Sequence, residues 1–213
     1  MIVNNPNNNF AKLPKNLIKP VDFKLADEGE YENLELSGND FSQAVFTNLD
    51  FSNCCLKNCN LSHLKANKLS LINVRLENCD LANLEIEELY MRHVDFEKCR
   101  LTGFVASDGI LNEAAFKACQ LRLARFRFGK LKSVIFNNCL LTEADFYAAE
   151  MSQIIFSTCD LTKAEMSKTQ NFETDLRTSN IAGLNIDVNS LKGIIISPEQ
   201  ISDLAWLLGV TIK

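Results

Sequence analysis

The sequence lacks the features by which membrane proteins and most enzymes are recognised. No apolar run approaches the ~18 residues that a membrane span needs. Residues 1–10 are rich in asparagine, without a basic region followed by an apolar one. We therefore expect a cytoplasmic protein that makes no contact with a membrane. A glycine-rich phosphate loop, an HExxH motif and a paired-carboxylate motif are also missing. We expect no enzyme activity, no cofactor and no metal.

Positive charge is also in short supply. The 213 residues include 22 Lys and Arg against 27 Asp and Glu, for a formal net charge of −5. Affinity for nucleic acid depends on clustered Lys and Arg, so this balance disfavours direct binding of nucleic acid. The only two histidines, His63 and His93, are expected to be solvated surface residues. The hydrophobic content of 46% is sufficient for one domain with a sizeable interior.

A five-residue repeat dominates the chain and continues from Tyr31 to Ile196 without an insertion or deletion. We call each five-residue unit a word. Of the 34 first, or word-initial, positions only Asn171 is polar, and most are Leu or Phe. The fourth positions are mostly smaller hydrophobic residues, whereas the second positions are mostly polar. Two inward and three outward residues per word fit neither a 3.6-residue helix nor the alternation of a simple strand. At Asn171 we expect a bulge or a polar inward residue near a corner.

These words resemble the pentapeptide-repeat family, most directly in CDL at 79–81, ADF at 144–146 and CDL at 159–161. The resemblance implies an all-β fold, a right-handed quadrilateral parallel β-helix in which four words form one coil. Residues 31–196 would make about eight coils, or a rod on the order of 40 Å at the ~4.8 Å spacing of strands. Residues 1–30 are expected to form an N-terminal cap or entry segment.

Columns of like residues twenty apart support four words per coil. Cysteine recurs from Cys59 to Cys159 and phenylalanine from Phe96 to Phe156 at that interval, which parallel strands in register would stack. The column cysteines are expected to be buried small hydrophobes, not metal ligands or disulfides. Cys55, at an outward position, is interpreted as a surface thiol.

The C-terminal residues 197–213 predict a helix and a short strand that cap the rod and join two copies. Ser197 is the expected N-cap, Pro198 the first helical residue and Gln200 the capping-box partner, for a helix over 198–208. Because the helix is apolar nearly all round, we expect a homodimer. The predicted interface comprises Ile201, Leu204, Ala205, Trp206, Leu207, Leu208, Val210 and Ile212. In the alternative, Leu204 and Leu208 cap the last coil while Trp206 is half-exposed.

Charge is distributed unevenly along the repeats. Aspartate recurs before the word-initial residue, which predicts an acidic surface resembling the phosphates of duplex DNA. Its members are Asp40, Asp50, Asp80, Asp95, Asp145, Asp160 and Asp175. Residues 100–132 hold 2 acidic and 7 basic groups and form a basic waist, a candidate docking patch for an acidic partner. The patch comprises Arg122, Arg125, Arg127, Lys130 and Lys132, with Leu123 and Phe128 outward among them.

The last coils resemble the quinolone-resistance (Qnr and MfpA) type of pentapeptide-repeat protein, through FSTCDLTKAE, DLRTSNIAGLNI and SPEQISDLAWLLGVTI. That resemblance implies a dimeric DNA mimic that binds DNA gyrase or topoisomerase IV and protects it from quinolones. The unbroken repeat leaves no room for projecting loops, and the basic waist dilutes the acidic field. The alternative is a protein-interaction scaffold for another partner, with no topoisomerase involved.

Overall fold

Residues twenty apart in the chain lie side by side along the whole solenoid. The computed structural model describes residue 5 and residues 8–208, and all strand pairings in it are parallel with a shift of twenty, such as Leu36 with Leu56 and Leu56 with Leu76. Four words therefore complete one coil, as predicted. The fold is a right-handed quadrilateral β-helix of about eight coils with one short C-terminal helix.

Fourteen strands of two to thirteen residues, one short α-helix and three 3-10 turns make up the regular structure of the described residues. The strands are β1 Gly29–Glu32, β2 Glu35–Ser37, β3 Val45–Ser52, β4 Cys55–Lys57, β5 Lys65–Glu77, β6 Glu85–Glu97, β7 Ile110–Lys117, β8 Lys130–Lys132, β9 Ile135–Asn137, β10 Glu150–Ser152, β11 Ile155–Ser157, β12 Gln170–Phe172, β13 Thr174–Asp175 and β14 Ile194–Ile195. The helix α1 is Ile201–Leu204, and 3-10 turns cover Asn189–Leu191, Pro198–Gln200 and Ala205–Leu208.

The third residue of most words turns the chain toward the next side of the coil. Its backbone lies in the left-handed region, with φ of +53° at Asn53 and +55° at Asn73. Asparagine tolerates this region better than most residues. The side chains also join adjacent coils, since Asn73 Nδ2 donates to Asn53 Oδ1 at 2.7 Å. His63 and His93 occupy the same kind of turn position, with φ of +57° and +55°.

The interior is filled by the first and fourth residues of each word. Phe96, Phe116, Phe136 and Phe156 stack nearly parallel, with centroids 4.7 to 5.0 Å apart. The eight cysteines are all buried and free, which agrees with the interpretation of their column as core residues. Cys99 Sγ, for example, donates to a backbone carbonyl of the preceding coil at 3.4 Å. Continuous stacking of this kind makes the rod rigid along its axis.

Asn171 is a half-buried polar residue at a word-initial position, and β12 keeps its register with β10 without a bulge. Its Nδ2 donates to Thr169 Oγ1 and to the backbone carbonyl of Ser190, at 2.8 and 2.7 Å. Its Oδ1 accepts from Thr174 Oγ1 at 3.2 Å. The last coil passes so closely that a Cβ on Gly193, whose φ is +86°, would lie 2.2 Å from the Asn171 carbonyl oxygen. Glycine is required there.

The N-terminal segment has two roles. Ile18 pairs with the first coil, since its N–H donates to the carbonyl of Asn33 and its carbonyl accepts from Glu35 N–H. Residues 8–12, by contrast, lie along the outside of the rod and contact three later coils. We call residues 8–12 the strap. The expectation of a cap or entry segment over 1–30 therefore describes the Ile18 region but not the strap.

The C-terminal turns close the opposite end. Ser197 N–H donates to Gln200 Oε1 at 2.8 Å, the capping box expected from the sequence. Gln200 is buried, and its Nε2 donates to the carbonyls of Leu176 and Ser179, both at 2.8 Å. These bonds satisfy backbone groups that the open last coil would leave unpaired. Within the described residues no helix is long and apolar enough to cross a bilayer.

Candidate interaction surfaces

The seven aspartates expected to form one acidic surface do not form a continuous row. Asp40, Asp80 and Asp160 share one ladder of paired residues, in which Arg100 and other residues separate them. The other four lie in three further ladders: Asp50 in one, Asp145 in another, and Asp95 with Asp175 in a third. Because a residue's position within the twenty-residue coil determines its ladder, recurrence every five residues spreads side chains around the rod.

Arginines pair with four of these aspartates, namely Asp80, Asp145, Asp175 and Asp95, and Arg75 Nη2 lies 3.7 Å from Asp95 Oδ2. Arg177 Nη2 lies 2.7 Å from Asp175 Oδ2, and Arg127 Nε lies 3.5 Å from Asp145 Oδ2. Arg100 forms a two-pronged ion pair with Asp80 on the preceding coil. Burial alone would raise the pKa of Asp80, but the hydrogen bonds from Arg100 and from the Ala82 N–H, together with the charge of Arg100, lower that pKa. The acidic potential on these sides is therefore reduced.

Asp95 does not belong to the surface at all. Its side chain is buried, with 3% of the residue exposed, because the strap covers it. The carboxylate accepts the backbone N–H groups of Phe10 at 2.9 Å and Ala11 at 3.2 Å. Burial raises the pKa of Asp95. The repeat predicted an outward side chain correctly, but the strap, which carries no repeat, could not be placed from the sequence.

The predicted basic residues do come together as a belt around one coil. Arg122 and Arg125 lie on one side, Arg127 and Lys130 on the next, and Lys132 on the third. All but the half-buried Arg127 are exposed. Two carboxylates of the following coil approach the belt: Asp145 Oδ2 lies 3.5 Å from Arg127 Nε, and Glu150 Oε1 lies 3.9 Å from Lys130 Nζ. The belt thus presents cationic groups on three sides of the rod.

An aromatic–cation cluster stands on the second side of the belt and consists of Arg127, Phe128, Tyr147 and Lys168. The Arg127 guanidinium carbon lies 4.8 Å from the ring centroid of Tyr147 and 5.6 Å from that of Phe128. Lys168 Nζ lies 5.2 Å from the Tyr147 centroid. The two rings meet edge to face at 5.7 Å. Aromatic residues and arginine of this kind are enriched at the energetic centres of protein interfaces.

Two exposed apolar residues of the belt have unfavourable backbone conformations. Leu123 is 53% exposed with φ of +58°, and Phe128 is 49% exposed with φ of +59°. A bulky residue at such a turn position contributes little to the stability of the fold, because it is neither buried nor well suited to the left-handed region. The repeat imposes this φ on the third residue of most words, so the unusual feature is the exposed bulky side chain, which favours a role outside the fold itself. Tyr147 and Lys168 were missed from the sequence, although the twenty-residue spacing from Arg127 to Tyr147 is a usable signal.

The cysteines are buried, and the two histidines lie at turn positions on the outside of the rod. In the part of the chain that the structure describes, no group of three His, Cys, Asp or Glu is placed to hold a metal ion. The Nε2 atom of His93 lies 2.5 Å from Glu113 Oε2. Cys55, interpreted as a surface thiol, is in fact buried with 3% exposure. It lies between Glu35 and Arg75 in the ladder along which the strap runs. Burial raises the pKa of Cys55 to about 11.

The C-terminal helix packs on its own rod more than the dimer prediction assumed. Leu204 and Ala205 are buried in the single chain, and Leu204 belongs to the main core. These two residues are therefore not free for a partner copy. Ile201 is 59% exposed and Leu207 is half-buried. The side chains of Trp206 and Leu208, together with Val210 and Ile212, lie outside the described residues.

Two family models match the chain. One describes a pentapeptide repeat region and matches residues 49–126 and 69–146, and the other describes pentapeptide repeats (8 copies) and matches residues 32–62 and 139–170. Together they span 32–170, which is 139 of 213 residues. Both models describe repeats and neither describes a catalytic family. No curated protein matches the sequence significantly.

Several solved structures are similar at low identity. A trypsin-treated form of QnrB1, a plasmid-mediated fluoroquinolone resistance protein, is 19% identical over 87% of this chain and 100% of its own, with a TM-score of 0.36. HetL, a pentapeptide repeat protein involved in heterocyst differentiation regulation in the cyanobacterium Nostoc sp. strain PCC 7120, is 16% identical over 78% of this chain and 88% of its own, with a TM-score of 0.38.

Proposed function

The chain belongs to the pentapeptide-repeat family, and we propose that it acts without catalysis, as a rigid rod that docks an acidic partner protein. The aromatic–cation cluster carries this proposal. On a chain of net charge −5, the cluster concentrates two cations and two rings where Phe128 is half-exposed and strained. A partner with acidic and apolar groups would bury the ring of Phe128 and form a desolvated ion pair with Arg127. Burial of an aromatic ring and a desolvated ion pair are typical contributions to interface energy.

A capture experiment with charge-matched variants tests this function. The immobilised protein is incubated with an extract of the cells that express it, and retained proteins are quantified by mass spectrometry. The double variant R122E/R127E should lose specific proteins that wild type retains. The control K98E/K163E changes the same number of charges at exposed lysines outside the belt, with Lys98 on the fourth side of the rod and Lys163 two coils beyond Leu123 on the first side, and should retain them. Equal retention by all three proteins would refute docking at the belt.

DNA mimicry is the second candidate, with DNA gyrase or topoisomerase IV as the partner and quinolone resistance as the outcome. The N-terminal half favours it, since residues 27–99 contain 14 acidic and 6 basic groups. A site shaped for duplex DNA would accept an acidic rod of similar width. The scattered aspartates and their arginine partners weaken this candidate relative to the first.

Gyrase supercoiling in the presence of a fluoroquinolone separates the two candidates. Mimicry predicts that added protein rescues supercoiling or reduces cleaved DNA, and that R122E/R127E is at least as effective because the belt opposes mimicry. Docking of another partner predicts no effect on gyrase. A well-folded preparation that leaves several bacterial gyrases unaffected would exclude mimicry.

Dimerisation remains part of the proposal, through Ile201 and Leu207 of the C-terminal turns. Exposed apolar residues at the end of a rod provide a surface on which a second copy can pack. The mass in solution, measured by light scattering, should be twice that of one chain and should fall to one chain in I201D/L207D. A monomeric wild type at micromolar concentration would rule the dimer out.

A further inference from the structure

A groove runs along one edge of the rod beside the aromatic–cation cluster. Its upper part, of about 440 Å³, lies between Lys130, Glu150 and Gln170 on one wall and Lys132 and Phe172 on the other. Its lower part, of about 720 Å³, shares Gln170 and Asn171 with the upper part and continues past Lys168 and Lys192. We call the continuous feature the edge groove.

The edge groove is cationic. Four exposed lysines border it, namely Lys130, Lys132, Lys168 and Lys192. Of the two carboxylates, Asp187 already accepts the backbone N–H of Asn189 at 2.9 Å and the Ser190 hydroxyl at 2.9 Å. Glu150 makes the long pair with Lys130. The groove therefore has unbalanced positive charge on a rod of net negative charge.

The length of the edge groove limits what it can hold. Its floor and end involve residues of four successive coils, 131, 151, 171 and 192, which gives about 15–20 Å at the spacing of β-strands. An extended polypeptide covers that distance with about five or six residues. A long polyanion such as nucleic acid would extend past the basic waist onto the coils of residues 27–99, which hold 14 acidic groups against 6 basic ones.

An apolar contact point accompanies the charge. Phe172 is 60% exposed on the wall opposite Glu150, at an outward position where the repeat does not require an aromatic residue. Large exposed aromatic side chains beside cations commonly anchor an apolar side chain of a bound peptide.

From this geometry we propose that the edge groove binds a short, extended acidic segment of the partner protein, with one apolar side chain packed on Phe172. The inference rests on the proposed docking function and specifies its ligand. Because successive side chains of an extended segment point to opposite sides, carboxylates on neighbouring residues contact the lysines of the two walls. Binding weakens as salt rises, because the lysines are exposed to solvent.

Fluorescence anisotropy with a labelled hexapeptide tests the inference. The probe is Asp-Glu-Leu-Asp-Glu-Asp, and the comparison probes are its Lys-substituted counterpart and a single-stranded DNA hexamer. We expect the acidic peptide alone to bind, with K132E/K168E at least tenfold weaker and K98E/K163E within twofold of wild type. E150Q, which removes the carboxylate of the upper groove, should bind at least twofold more tightly. Phe172→Ser should weaken binding of this peptide but not of a variant peptide lacking the leucine.

Three results would overturn the inference: no binding of the acidic peptide, equal loss in K98E/K163E, or tighter binding of the DNA hexamer than of the peptide. Thermal unfolding of each variant, read by circular dichroism, verifies that the rod is intact. The outcome is separable from the docking function. If partner capture depends on Arg122 and Arg127 but no acidic peptide binds, the docking function stands and the edge groove is not its site.

Discussion

The rings of Phe116 and Phe136 lie 5.0 Å apart and within 9° of parallel, although twenty residues separate them in the chain. Both are fully buried. Each ring also meets Phe126 edge to face, at 6.4 and 6.1 Å. The ring of Phe116 thus contacts the next coil through Phe136 and another wall of the rod through Phe126. The stability of the solenoid should depend on such columns as a unit.

Replacement of Phe116 by alanine should strongly destabilise the middle of the rod. The substitution removes a stacked ring and leaves a cavity that neighbouring coils cannot close, at a cost of about 3–5 kcal/mol in the free energy of unfolding. Denaturant unfolding followed by circular dichroism measures the loss. Phe116→Leu, which retains most of the volume, should cost clearly less. Equal losses for both would mean that filling the cavity does not matter at this position.

The eight cysteines should be unreactive in the folded protein. All are buried, and burial raises the pKa of Cys55 to about 11, so at pH 8 almost no thiolate is present there. Since the thiolate is the reactive form, titration with a thiol reagent at pH 8 should detect fewer than one group per chain. In denaturant all eight should react. Rapid labelling of Cys55 in the native protein would show that the ladder beside the strap opens.

The strap should detach when Asp95 is replaced by alanine. The carboxylate accepts both backbone N–H groups of Phe10 and Ala11, and loss of two such bonds should weaken attachment by roughly 2–4 kcal/mol. Trypsin should then cleave after Lys12 at least tenfold faster, as followed by mass spectrometry. Glu88→Ala, an exposed acidic residue elsewhere, serves as the control. Unchanged cleavage in Asp95→Ala would mean that other contacts hold the strap.

The regular part of the molecule was predictable because each position in the repeat has one environment. Hydrophobic residues at the first and fourth positions, and like residues twenty apart, determine both the coil and its register. Compensation of side-chain volume in the core was also predictable, because a large residue at the fourth position is followed by a small one at the next first position. Leu64 is followed by Ala66 and Phe104 by Ala106, and all four residues are buried. The capping box at Ser197 and Gln200 follows from short-range chemistry alone.

The remaining features depend on segments without a repeat. Nothing in the words around Asp95 signals that the strap will cover it, because these contacts of the strap span about eighty residues of sequence. The acidic row failed for a different reason. Position in the five-residue word determines whether a side chain points outward, but only position in the twenty-residue coil determines which side it faces.

Leu123 offers the clearest test of strain in the basic belt. Its backbone has φ of +58°, and 53% of it is exposed. Asparagine occupies the equivalent turn position at Asn53, Asn83 and elsewhere with similar φ. Leu123→Asn should therefore stabilise the rod by about 0.5–1 kcal/mol, which corresponds to a rise in melting temperature of roughly 1–4 °C. Differential scanning calorimetry measures the shift.

Phe128→Asn is the informative comparison, because Phe128 also contacts Arg127 and packs edge to face against Tyr147. Relief of backbone strain should be offset by loss of the ring contact, worth about 0.5–1.5 kcal/mol, so the melting temperature should hardly change. Partner capture should nevertheless fail for Phe128→Asn. If Phe128→Asn instead lowers the melting temperature by many degrees, Phe128 stabilises the rod itself, and its exposure carries no functional meaning. A stable variant that has lost its partner would identify Phe128 as a residue retained for binding.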